Sequence, residues 1–360
     1  MYIEQILVDN FRILANKKFE FSKNFNLIYG KNAQGKTSLI EAVYFLASGK
    51  SFRTRKIIEQ IKENNKRMVV FSKINGVNYS IELSKDKRAF YKNSNRCKYS
   101  EYLGDILVIS FSPEDMDLII GTPDTRRRFF NYEICQIDKK YLKYLLDFQK
   151  ILKIRNKMIK NNEMESKLFE IYNEKFIDLS IELLMIRKEY IEELSIIINE
   201  KYQKLFGNKK KINLIYENFL VNLKDKKYNK DELKAEFKES LFSKKDKEKI
   251  YGYSILGPQK DDFIFEINEN KVKSYASQGE KKSVLLALKL AQGDYIISKT
   301  NNTPIFLFDD ISAYFDEIRK YRVMEYFKEK KIQCFFTSTE KIDIEAKYIK
   351  IEDGDINDEV

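Results

Sequence analysis

Asn24-Phe25-Asn26-Leu27-Ile28-Tyr29-Gly30-Lys31-Asn32-Ala33-Gln34-Gly35-Lys36-Thr37-Ser38 reads as a short strand, a glycine-bounded turn and the start of a helix. Gly30 and Gly35 bracket four residues and Lys36-Thr37 follow, the G-x-x-x-x-G-K-[ST] phosphate loop. Gly30 lets the chain leave the strand without a Cβ clash, and Gly35 lets backbone N–H groups close on phosphate oxygens. A helix opening at Lys36 aims its positive end at the same anion. Gly30, Lys31, Asn32, Ala33, Gln34, Gly35, Lys36, Thr37 and Ser38 are therefore expected to hold a nucleotide. In that arrangement Lys36 reaches the β- and γ-phosphates and the Thr37 hydroxyl ligates Mg²⁺. The plain alternative is a turn with a coincidental lysine. Context argues against it: the residues before Gly30 fit a buried strand, and Leu39, Ile40, Val43, Leu46 and Ala47 fit one helix face ended by Gly49.

Composition bounds the rest. Of 360 residues 43% are hydrophobic, enough for one large or two modest folded domains. No apolar run is long enough to span a bilayer, and the N-terminus lacks a basic segment followed by an apolar one. Cys97, Cys135 and Cys334 are scattered, with neither a disulfide framework nor zinc spacing, which points to a reducing, cytoplasmic setting. The net charge of +11 favours phosphate-bearing partners. A general richness in Lys, Ile, Asn and Tyr dilutes that argument. The absence of histidine excludes His-based acid–base catalysis and His-ligated metals.

Met1 to Tyr29 reads as strands joined by turns, and 68–91 alternates like antiparallel strands. Gly49 to Lys56 is basic with an interleaved aromatic, a loop that either touches phosphates or is simply solvated. Ile106-Leu107-Val108-Ile109 reads as a buried strand, and Ser112-Pro113-Glu114-Asp115 as a helix start. From Arg126 to about Ile250 the pattern is long, charged and helical. One seam carries Tyr141, Leu145, Phe148 and Leu152. Another carries Leu168, Ile171, Phe176, Leu179, Ile186, Tyr190, Leu194 and Ile197. Neither sustains a heptad over many turns, so a compact helical lobe is expected and not a long coiled coil. The Lys-rich stretch from Gly207 to Lys249 reads as an exposed insertion, partly strand at 212–216. Its lysines form a solvated face or, alternatively, one that meets DNA.

Chemistry returns near the C-terminus. Ser277-Gln278-Gly279-Glu280 precedes a helix with Val284, Leu285, Leu288, Ala291 and Tyr295 on its apolar side. That is a second anion-binding helix start, or equally a serine N-cap. Ile305-Phe306-Leu307-Phe308 is a central strand from which Asp309 and Asp310 emerge. Asp309 is placed to hold Mg²⁺, and Asp310 to orient or deprotonate an attacking water. Asp316 follows Ser312-Ala313-Tyr314-Phe315. The strand Cys334-Phe335-Phe336 ends in Thr337-Ser338-Thr339, hydroxyls able to sense a γ-phosphate.

These parts in this order resemble the ATP-binding-cassette superfamily. Within it the chain is similar to the RecF family of DNA repair ATPases, relatives of SMC heads. The resemblance rests on Asp9-Asn10-Phe11-Arg12, Gly30 to Thr37 with Glu41-Ala42, Ser51-Phe52-Arg53-Thr54 and Phe111 to Asp115. It continues in Arg126-Arg127-Arg128-Phe129, Gly257-Pro258-Gln259-Lys260-Asp261-Asp262, Ser277 to Glu280, and Asp309-Asp310. The family usually has His-Arg where Gln259-Lys260 stand, and Ser where Ala313 stands.

The resemblance implies an α/β fold: an ABC-type ATPase head with a mixed sheet around the phosphate loop, plus a mostly helical second lobe. The expected divisions are 1–120, 121–250 and 251–360. It implies ATP and Mg²⁺ as cofactors, with Lys36 and Asp310 catalytic and Thr37 and Asp309 at the metal. It further implies a homodimer closed by ATP, in which Ser277 and Gly279 of one copy cap the γ-phosphate held by Lys36 of the other. Hydrolysis would be slow, DNA-stimulated and used as a switch. DNA binding near single-strand gaps, and action with RecO and RecR proteins to load RecA, follow from the same likeness. Two other readings compete. A transporter's ATP-binding subunit has a short helical subdomain where this chain carries a whole charged lobe. An SMC-type structural head needs long heptad arms, for which 360 residues leave no room.

Overall fold

Phe25–Tyr29, Ile305–Phe308 and Cys334–Ser338 are buried at every position, which a strand achieves only where both faces of its sheet are covered. In the computed structural model, which describes residues 1–207, 209–220, 229–310 and 317–357, they are the middle of a six-stranded sheet. Its order is Asp355–Asn357, Lys347–Glu352, Phe25–Tyr29, Cys334–Ser338, Ile305–Phe308, Val108–Phe111. Every pair is parallel except the hairpin formed by the first two. A second six-stranded sheet is antiparallel throughout. It is ordered Lys17–Glu20, Gln5–Asp9, Arg67–Ile74, Val77–Ser84, Arg88–Lys92, Asn95–Cys97. The helix Lys36–Ser48 packs against strands of both sheets. Apart from Thr37 it is buried at every position, including Glu41. The single apolar face expected from the sequence is therefore too modest, because a helix held between two sheets has no solvent side.

The chain gathers into two units. Met1–Met116, Lys204–Gly207 and Lys282–Val360 form the first, which contains both sheets just described. Asp117–Gln203 with Asn208–Lys281 forms the second. No described helix is long and apolar enough to cross a membrane.

The second unit is mostly helical, with Pro123–Ile137, Lys139–Lys160 and all but the last three residues of the 40-residue Lys167–Phe206. It also holds a three-stranded antiparallel sheet ordered Asn270–Lys271, Asp262–Ile267, Ile212–Glu217. Two expectations need correction here. The buried stripe of the long helix runs through Phe176, Ser180, Leu183, Arg187, Tyr190, Leu194 and Ile198, while Leu168 and Ile171 are each 54% exposed. A search for apolar spacing misses Ser180 and Arg187, whose polar atoms are buried with partners. Nor is 207–249 simply an exposed insertion. Its strand Ile212–Glu217 pairs along the whole of Asp262–Ile267. Its helix Lys230–Ser243 buries Leu233, Phe237 and Leu241, with the Phe237 ring against those of Phe176 and Phe219. A lysine-rich stretch conceals this because a helix needs only one residue in three or four facing the core.

Arg187 is the polar centre of this unit. Its guanidinium donates to Asp261 Oδ2 at 2.6 Å, the Pro258 carbonyl at 2.9 Å, Tyr141 Oη at 2.9 Å and Asn131 Oδ1 at 2.8 Å. Asp261 also accepts from the Tyr216 hydroxyl and from the Phe219 N–H. Beside it, Arg126 grips Asp262 through two bonds of 2.7 and 2.8 Å. Removing one member of a buried pair strands the other charge. Arg187→Ala is therefore expected to lower unfolding free energy by about 3–5 kcal/mol in chemical denaturation, with Arg187→Lys intermediate. A loss below about 1 kcal/mol, the value of a solvent-exposed pair, would mean that this network is not held in solution.

Candidate nucleotide-binding site

The phosphate loop lies at the C-terminal end of the parallel sheet, where open α/β sheets bind ligands. Gly30 has φ 146° and Gly35 φ 114°, conformations that a side chain rarely adopts. A Cβ on Gly30 would also run into the Ile351 carbonyl oxygen of the neighbouring strand. That glycine thus serves strand packing as well as the turn. The Lys36 ammonium crosses the loop and donates to the carbonyls of Gly30 at 2.6 Å and Lys31 at 2.7 Å. Burial lowers its pKa, with Asp309 and Asp310 acting in the opposite direction. Gln34 is gripped by the C-terminal hairpin: its backbone carbonyl accepts from Gly354 N–H at 2.9 Å, and its side chain accepts from Asp353 N–H.

The acidic strand brings the second half of the site. Asp309 Oδ1 accepts from the Thr37 hydroxyl at 2.8 Å and from the Thr337 hydroxyl at 2.9 Å. Thr337 Oγ1 in turn accepts from the Asp310 N–H at 2.7 Å. Burial pushes the Asp309 carboxyl up. The two threonines pull it back, and the nearby charge of Glu114 adds to the rise. Its neighbour Asp115 accepts from Ser112 N–H at 2.8 Å and pairs with Lys289 at 2.9 Å. Asp310 sits at φ 61°, a left-handed position open to Asp and Asn, and its side chain is exposed.

A cleft of about 1130 Å³ joins these parts. It is lined by Asn32, Ala33, Gly35, Lys36, Thr37 and Ser38 of the loop, by Asp309 and Asp310, and by Thr337, Ser338 and Thr339. Gly30, Lys31 and Gln34 belong to the same loop but are not among the residues that line the cleft. Thr337 is a brace for both aspartates, so among the three hydroxyls proposed to sense phosphate it already has a second task. Thr37 and Asp309 offer hard oxygen donors. That set fits Mg²⁺ shared with a polyphosphate, since this ion takes one or two carboxylates and several phosphate or water oxygens in preference to a closed protein cage.

Arg12 was not among the expected site residues, and Arg53 stood only within the basic loop that either touches phosphates or is solvated. Arg12 and Arg53 also line the cleft, and both are oriented by Glu41 from inside the helix. Arg12 forks onto Glu41 with bonds of 3.0 and 2.9 Å. Arg53 Nη1 lies 3.5 Å from Glu41 Oε2, and the Ser51 hydroxyl donates to the same carboxylate. The available signal was a glutamate on a helix whose other positions read as core, near arginines in two flanking turns. Arg53 brings the basic loop after Gly49 to the wall of the cleft.

The Ser277–Glu280 turn belongs to the second unit, and the cleft is drawn wholly from the first. Ser277 N–H donates to Glu280 Oε2 at 2.7 Å and Ser277 Oγ accepts from Glu280 N–H at 3.3 Å, a reciprocal cap on the helix Gln278–Thr300. Lys210 pairs with Glu280 and, with the Ser277 bonds, holds its carboxyl down to about 2. Ser277 and Gly279 are exposed, and a Cβ on Gly279 would meet nothing within 4 Å. The Ser312–Asp316 turn lies outside the described residues.

Comparison with known proteins gives one answer at three levels. Residues 2–103 match the model of the RecF/RecN/SMC N-terminal domain. The DNA replication and repair protein RecF of Listeria monocytogenes is 34% identical over 97% of this chain and 96% of its own length. That of Thermoanaerobacter sp. is 33% identical, covering 98% and 99%. Among solved structures, the recombination mediator protein RecF with ATP, of the RecFOR pathway, is similar with a TM-score of 0.92 and 31% identity over 99% of this chain and 97% of that one. The Smc head domain of Pyrococcus furiosus shares the fold alone, with a TM-score of 0.55 at 19% identity.

Proposed function

From the premise that the chain belongs to the RecF family of DNA replication and repair proteins, with its ABC-type ATPase fold, we propose that it is an ATP-gated DNA-binding clamp. The observation that carries the proposal is the meeting of Thr37 and Thr337 on one oxygen of Asp309 beside the lysine of a phosphate loop. A triphosphate fits there. The N–H groups opening the helix at Lys36, Thr37 and Ser38, and the Lys36 ammonium, supply the positive field. Mg²⁺ held by Thr37 and Asp309 would neutralise phosphate charge. Asp310 orients or deprotonates the attacking water, with its backbone fixed by Thr337. Arg12 and Arg53 add donors that Glu41 holds in place.

The exposed, open Gly279 and the capped Ser277 suit a surface that receives the nucleotide of a second copy. ATP then acts as the glue of a homodimer and hydrolysis as its release. DNA would be gripped through its backbone phosphates, with little regard to sequence and with strong salt dependence. The relative with bound ATP belongs to the RecFOR pathway. That supports RecR and RecO proteins as partners; single-strand gaps as the DNA target and the loading of RecA are part of the same proposal. Slow, DNA-stimulated turnover suits a switch.

Sedimentation with a gapped duplex tests the whole reading. With ATP, a species carrying two protein copies on DNA is expected; with ADP or no nucleotide it should be absent. A profile indifferent to nucleotide would overturn the clamp.

A further inference from the structure

In the second unit Arg155, with a side-chain exposure of 2%, ties together three segments. Nε donates to Asn173 Oδ1 at 2.9 Å, Nη1 to Ser254 Oγ at 2.6 Å and Nη2 to Glu248 Oε2 at 2.7 Å. Glu248 Oε1 accepts from Ile255 N–H at 3.0 Å, and Asn156 Oδ1 accepts from both the N–H and the hydroxyl of Ser254. Glu248 and Ser254 are thus fixed in the interior, and the five residues between them form the turn that ends the helix Lys245–Tyr251 at Gly252, φ 75°.

That turn displays what a fold would ordinarily hide. Ile250 is 80% exposed, Tyr251 59% and Tyr253 42%. The two tyrosine rings stand 6.0 Å apart with 34° between their planes. Three large apolar side chains within four positions, on a backbone pinned by a buried ion pair, form a presented surface and not a frayed end.

The surrounding charge selects what would cover it. Lys247, Lys249 and Lys260 are exposed, with Lys260 Nζ 5.1 Å from the centre of the Tyr253 ring. Of the two carboxylates between 244 and 253, Glu248 is consumed by Arg155 and only Asp246 faces solvent. Exposed tyrosine rings flanked by lysines suit a chain of phosphates carrying flat, unpaired bases. A duplex offers the phosphates but keeps its base faces stacked, so the rings would find nothing there.

We infer that the turn 250–253 is a stacking contact for single-stranded nucleic acid, with its bases on Tyr251 and Tyr253 and its phosphates on the flanking lysines. This deepens and rests on the reading of the chain as a DNA-binding protein, and assigns it a place for an unpaired strand.

The chain contains no tryptophan, so the Tyr251→Trp variant carries a single indole reporter. Oligo-thymidine is expected to quench its emission, and a blunt duplex to leave it unchanged. The double variant Tyr251→Ala/Tyr253→Ala is expected to bind oligo-thymidine about tenfold more weakly or worse. Duplex binding and ATP hydrolysis should stay as in the parent, and phenylalanine at both positions should restore the loss. Oligo-thymidine affinity within about twofold of the parent, with duplex binding intact, would overturn this inference alone and leave the turn as a protein-facing surface. A parent protein that binds neither duplex nor gapped DNA would instead overturn the broader reading.

Discussion

Replacing Lys36 by alanine is expected to abolish ATP binding, and with it the nucleotide-dependent pairing of two copies. Lys36 is the cation that the loop wraps: its ammonium already holds the Gly30 and Lys31 carbonyls, and Asp309 and Asp310 act on it electrostatically. A charge-assisted bond of this kind is worth about 1.5–3 kcal/mol, roughly 10- to 150-fold in affinity for each one lost. A triphosphate uses more than one. Titration calorimetry reads the binding, and light scattering with and without ATP reads the pairing. Lys36→Met keeps the aliphatic stem and should fail in the same way, which separates lost charge from a collapsed loop. Pairing at saturating ATP equal to that of the parent would move the nucleotide elsewhere.

Asp310→Asn should leave ATP binding near the parent level and reduce turnover by about 10²- to 10⁴-fold, the usual contribution of a positioned base. The substitution is clean for two reasons. Asparagine tolerates the left-handed backbone at φ 61° as aspartate does. The N–H that Thr337 accepts belongs to the main chain and survives. Asp309 keeps its bonds to Thr37 and Thr337. The variant should therefore accumulate as an ATP-bound pair on DNA, visible as a slowly dissociating complex. Turnover equal to the parent would assign the water to another group, for which Glu114, whose charge reaches Asp309, is the nearest alternative on electrostatic grounds.

Several parts of this site needed nothing but spacing. Gly30, Gly35, Lys36 and Thr37 are a local pattern, since backbone conformation and helix start are set within a few residues of one another. Asp309 and Asp310 were legible because an all-apolar strand ending in two carboxylates reads as a central strand with its acids at the tip, although only Asp310 proves exposed there. The buried stripe of the long helix was legible only in part. Arg187 and Ser180 are polar residues in core positions, and their burial depends on partners such as Asp261 that lie far along the chain.

By itself, then, the chain's order of residues determined the phosphate loop and the acidic strand. The class of fold came from the resemblance of these and the other quoted stretches to a known family, and the cap at Ser277 was settled only by its bonds to Glu280. The phosphate loop and the acidic strand follow from short-range geometry and from a run of buried residues. Only the tertiary structure decided that Thr337 braces both aspartates, that Glu41 orients Arg12 and Arg53, and that the Asp353–Gly354 turn grips Gln34. It also decided that a lysine-rich stretch supplies a core strand, and that a buried arginine presents two tyrosines to solvent. These are meetings between residues tens to hundreds of positions apart. They depend on sheet order and on the need of every buried polar group for a partner, and neither is written in the spacing of neighbours.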